Sequence, residues 1–124
     1  MNTFVNCLLV GAGGMLGTVC RYLFGLIPIR VQSGFPVNTL LINIIGAFCV
    51  GLVVAVSEKS GSMNPQLLLF LKIGICGGFT TFSTFSWEAM QLLQSGKLVV
   101  GLSYMILSVT VCVSAVAVAQ AFVK

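Results

Sequence analysis

Four long apolar stretches make up most of the chain, and short polar segments separate them. A hydrocarbon layer roughly 30 Å thick needs about 20 helical residues to cross it. Residues 4–27, 38–56, 66–93 and 98–123 all reach that length. The segment PIRVQSGFPV, broken by Pro28 and Pro36, lies between the first two stretches, and SEKSGSMNP, with Glu58, Lys59 and Pro65, between the second and third. QSGK turns the chain tightly into the fourth. The pattern predicts an all-α membrane protein, a single integral domain over residues 1–124, with four transmembrane helices and both chain ends on one side.

The third stretch is longer than a span requires. Its 28 residues, 66–93, would extend about 42 Å as one α-helix. Either the helix tilts strongly or it is interrupted. GGFTTFSTFSWE, Gly77 to Glu88, supplies the interruption: two poor helix formers, then β-branched threonines. A break near residues 76–81 is therefore expected. Irregular backbone inside a bilayer persists only where protein buries it or it lines a polar cavity, and broken helices bind ions through half-helix ends and freed carbonyls. The alternative is a continuous packing helix with polar residues on it. Gly13 with Gly17, and Gly74 with Gly78, form small-xxx-small pairs suited to close helix contact.

Composition narrows the function. Of 124 residues 58% are hydrophobic and 6% charged, against about 25% charged in a soluble domain. The net charge of +4 comes from six scattered Lys/Arg and two acids, so no basic patch for nucleic acid forms. There is no histidine, and Glu58 and Glu88 are the only carboxylates. General acid–base chemistry and zinc or iron sites draw on residues this chain lacks, which argues against an enzyme. Glu88, near the end of the third span, is assigned nothing beyond capping or solvating a helix end. The five cysteines contain no C-x-x-C and read as free thiols acting as small hydrophobes. The first residues lack the basic segment and small-residue site of a cleaved leader.

Lys/Arg near span ends set orientation. Lys59, Lys72 and Lys124 fall on one side; Arg30, Lys97 and Arg21 fall on the other. Three against three specifies no preferred topology. If the span ends are placed correctly, both orientations insert and one of each pairs as an antiparallel dimer.

Several polar residues suit an anion. Arg21 in the first span costs about 2.5–3.5 kcal/mol at the bilayer centre; it either snorkels to headgroups or lines a vestibule. Asn43, one turn after Thr39, is either interhelical glue or a pair of N–H donors for a desolvated anion. Phe82 and Phe85 share a helical face, and aromatic rings present positive edges. In the fourth span Tyr104, Ser108 and Cys112 make one polar stripe, Thr110 and Ser114 a second.

GGMLGTVCRY (Gly13 to Tyr22), NTLLINIIGAF (Asn38 to Phe48) and GGFTTFSTFSWE resemble three signatures of the Fluc, or CrcB, fluoride channels. The resemblance covers essentially the whole chain. It implies a passive fluoride exporter of the bacterial inner membrane, an antiparallel dual-topology homodimer with two pores. It further implies a structural sodium ion on the dimer axis, held by backbone carbonyls of Gly77 and Thr80. Asn43, Phe82, Phe85, Ser83, Thr84, Tyr104 and Ser108 would line the anion pathway, with Arg21 as anchor or vestibule residue. Cys112 stands where the family is expected to carry a hydroxyl, and a thiol is a weak donor. The rival is a proton-coupled cation transporter like the small multidrug exporters, which needs a membrane-embedded acid that the first span lacks. A structural subunit without transport would explain the glycines but not the Thr/Phe/Ser cluster.

Overall fold

In a computed structural model describing residues 2–124 the chain is a bundle of helices with short connections. Helix α1 (Thr3–Gly25) starts at Asn2, whose side-chain oxygen accepts the backbone N–H of Phe4 at 2.9 Å. Helix α2 (Val37–Ser60) runs four residues past the expected end at residue 56 and stops at Gly61. There φ is +65°, a left-handed cap that glycine adopts without strain. The third span is composite: α3 (Pro65–Leu69), a π-helical stretch Phe70–Cys76, α4 (Gly77–Phe79), and α5 (Phe82–Gln94). Asn64 caps α3, with Pro65 in the first turn where no N–H partner is needed. Helix α6 (Leu98–Val123) completes the bundle. Among the described residues four helical segments are long and apolar enough to span a membrane: Thr3–Gly25, Val37–Ser60, Pro65–Gln94 and Leu98–Val123.

The third span is broken, as its length predicted, but not at its glycines. Gly77 and Gly78 are helical; Thr80 (φ −81°, ψ 158°) and Thr81 (φ −149°, ψ 116°) are extended. The glycines serve packing instead. A Cβ on Gly78 would lie 2.6 Å from the Gly14 carbonyl oxygen, and one on Gly13 would lie 2.6 Å from that of Phe70. Gly17 sits on the Ile75 carbonyl and Gly74 on Gly13. Backbone thus meets backbone between α1 and the first half of the third span, which only small residues permit.

Elsewhere Gly51 of α2 closes onto Val116 and Ala119 of α6. Phe85, Ala89 and Leu92 of α5 form a buried cluster with Tyr104 of α6, and Phe35 packs edge-on against that tyrosine at 5.3 Å. The break is therefore held from three sides, by α1, α2 and α6.

Candidate ion-binding site

Two extended residues inside a helix leave peptide groups in need of partners. In an unbroken helix the Thr81 N–H would reach the Gly77 carbonyl. Here it donates to Oδ1 of Asn43 at 2.8 Å, while Nδ2 of Asn43 donates to the Thr81 carbonyl at 3.1 Å. One side-chain amide therefore satisfies both polar groups of a single residue. The Thr84 N–H, the regular partner of the Thr80 carbonyl, donates to Oγ1 of Thr81 at 3.2 Å. The carbonyls of Gly77 and Thr80 are thus deprived of their helical donors. The Gly78 carbonyl is covered differently: Nε of Arg21 donates to it at 3.1 Å and Oγ1 of Thr18 at 3.5 Å. Arg21 accordingly neither snorkels away nor hangs free, but anchors α1 to the break. Gly46, three residues after Asn43, makes room for the methyl group of Thr80, which any Cβ at 46 would overlap. Helix α2 seats one threonine and clamps the next.

A cavity of about 330 Å³ opens beside the break. Asn43, Phe82, Phe85, Ser108 and Cys112 line it together with Thr80 and Thr81. The two phenylalanine rings lie 5.5 Å apart, centroid to centroid, tilted by 42°. Phe85 is buried at 8% exposure, whereas Phe82 is 77% exposed. Ser108 is 7% exposed and its Oγ is buried with no hydrogen-bond partner. Asn43 has committed one of its two amide hydrogens to Thr81 and retains the other. Among the described residues, no carboxylate lines this cavity.

The remaining predicted residues divide. Tyr104 is completely buried, and its hydroxyl donates to Oε1 of Glu88 at 2.9 Å. It is outside the lining of the cavity that holds Ser108 and Cys112. Thr84 lines a second cavity of about 500 Å³, shared with Arg21, Asn38, Thr39 and Glu88. Ser83 is exposed and apart from both linings. Of the two candidate stripes on the fourth span, the one with Ser108 and Cys112 faces the break; Thr110 is exposed and Ser114 lines an apolar groove with Phe48.

Two features escaped the sequence reading. Glu88 does more than solvate a helix end: it receives hydroxyl donors from two other helices, Thr39 at 3.0 Å and Tyr104 at 2.9 Å. Its signal was that it is the one acid inside the spans as bounded from sequence, Glu58 falling there in a loop. Gly46, a lone glycine one turn from the half-buried Asn43, was the other.

A family profile described as "CrcB-like protein, Camphor Resistance (CrcB)" matches residues 8–120. The "Fluoride-specific ion channel FluC" of Ruminiclostridium cellulolyticum is 41% identical, over 100% of this chain and 96% of its own length. The protein of that name from Shewanella halifaxensis is 40% identical over 95% of both chains. In Geotalea daltonii it is 45% identical, over 83% of this chain and 84% of the relative. With the profile spanning nearly all of the sequence and such identity along whole relatives, the chain belongs to the CrcB-like family.

Proposed function

We propose that this protein is a channel, not an enzyme, that lets fluoride leave the cell passively across the bacterial inner membrane. The carrying observation is the cavity beside the break, with its donors, its two aromatic rings and the unpartnered hydroxyl of Ser108. Fluoride is small and strongly hydrated. Removing its water requires replacement donors, because an unpaired charge in a low-dielectric site is prohibitively costly. Ser108 and the free amide hydrogen of Asn43 are such donors, and the edges of Phe82 and Phe85 carry partial positive charge. The relatives' name supports the choice of ion.

The working unit in this reading is an antiparallel, dual-topology homodimer. Phe82, at the break yet 77% exposed, and the open side of the cavity are accounted for by a second copy. Thr84 continues the path into the second cavity, Ser83 joins it only against a second copy, and Tyr104, held by Glu88, backs Phe85 from behind. A structural sodium ion fits the carbonyls of Gly77 and Thr80, since hard cations take oxygen ligands and these two have lost their helical donors. When bound it supplies fixed positive charge at the break.

Purified protein in liposomes tests this. Fluoride should leave down its gradient while chloride stays. Efflux of a cationic dye driven by a pH gradient would instead support the exporter reading, and movement of neither would support a structural role.

A further inference from the structure

Cys112 lines the same cavity as Ser108, one helical turn away on α6. Its thiol is partly accessible and free. Ser108 marks this space as built for a ligand: nine-tenths buried, it directs no hydrogen bond to protein, although a helical serine readily bonds back to the preceding turn. A thiol next in line is a poor donor for a hard anion, but it is the one chemically reactive group in the cavity lining. We infer that Cys112 is a modification site within the anion path, where a covalent adduct with a small uncharged thiol-reactive electrophile closes the channel. This rests on the channel reading above and adds to it a chemical sensitivity at Cys112.

With methyl methanethiosulfonate the step is a thiol exchange. The Cys112 thiol gives its proton to water, and its sulfur attacks the thiomethyl sulfur of the reagent. A new S–S bond forms, the reagent's sulfur–sulfonyl bond breaks, and methanesulfinate leaves with the electron pair. The adduct removes the S–H donor and places a thiomethyl group beside Ser108 and Phe85. The adduct thus narrows the path at Ser108 and takes one donor from it, which leaves a dehydrated anion poorer in space and partners there.

The experiment uses full-length protein in liposomes, with fluoride efflux and intact mass recorded on the same sample. Treatment should lower flux at least tenfold, and dithiothreitol should restore it. Cys7 and Cys20 are exposed on α1, away from the cavity; replacing both by Ser should leave the block intact. Cys112→Ser should abolish the block and raise basal flux about two- to tenfold, the worth of one better hydrogen bond. Full flux from protein whose mass shows Cys112 derivatised would overturn the inference while leaving the channel standing. A block that persists in Cys112→Ser, or a Cys112 that resists the reagent, would overturn it equally. Untreated protein without fluoride flux would overturn the channel reading and this inference together.

Discussion

The side-chain amide of Asn43 holds both polar groups of Thr81, so its proposed role in ion passage and its role in structure are joined. Asn43→Asp keeps the acceptor for the Thr81 N–H but sets a negative oxygen against the Thr81 carbonyl. It also puts charge beside the proposed anion path. Two unit charges 4 Å apart at an effective dielectric of 20 repel by about 4 kcal/mol, roughly three decades in occupancy. Fluoride efflux at pH 7 should collapse; a flux equal to wild type would remove Asn43 from the path. The phenylalanines allow packing and passage to be separated. Phe82 is largely exposed within a single chain, so Phe82→Ile should change the stability of that fold by less than about 0.5 kcal/mol, and any larger loss would fall on the proposed dimer contact. Loss of fluoride flux in a variant that keeps both its fold and its dimer would credit the ring edge. Phe85 contacts Tyr104 at 5.0 Å, and Phe85→Ile should cost an additional 0.5–1.5 kcal/mol or so of aromatic packing. Thermal unfolding by size-exclusion chromatography, beside efflux, reads both. From sequence Asn43 had two readings, glue or donor, and Arg21 had two, snorkel or vestibule. Residue type states what a side chain offers. Only the neighbouring helix decides what takes it, and here the taker was the interrupted backbone between Gly78 and Thr81.

At the scale of elements, the third span shows where local propensity runs out. Length and composition located its interruption near residues 76–81, because a bilayer is too thin for a straight helix of that length. They pointed to the glycines, which are intrinsically the weakest helix formers present. The extended pair is nevertheless Thr80–Thr81, since α1 holds Gly78 against Gly14 while α2 offers Asn43 to Thr81 and space at Gly46 to Thr80. Those contacts lie 34 to 64 positions apart in sequence, beyond any pattern read in a window. The π-helical winding from Phe70 to Cys76 has no marker in residue type, although such windings recur at functional sites. The seat on α2 can be tested directly. Gly46→Ala should displace Thr80, cost about 1–3 kcal/mol and impair fluoride flux. Gly11→Ala, where a Cβ meets open space, should do neither. Wild-type flux from a folded Gly46→Ala protein would show that the position of Thr80 does not matter to the path.

For the whole molecule, charge placement bears on assembly. Arg21 is turned inward to Gly78, and Lys72 lies inside the third span. Setting both aside leaves Arg30 and Lys97 at one end against Lys59 and Lys124 at the other, still two against two. The balance sustains the expectation of insertion in both orientations. Adding two or three lysines to the loop at Arg30 should fix one orientation and abolish flux, and co-expression with an oppositely biased variant should restore it. A uniformly oriented chain that conducts alone would contradict the antiparallel dimer. The central claim, a passive pathway for fluoride, is tested most directly by the reversal potential of purified protein in a bilayer. Under a tenfold fluoride gradient with equal chloride on both sides, the current should reverse about 59 mV from zero, at the fluoride equilibrium potential, and stay there when a pH gradient is imposed. A reversal at zero, or one that moves with the proton gradient, would contradict the account.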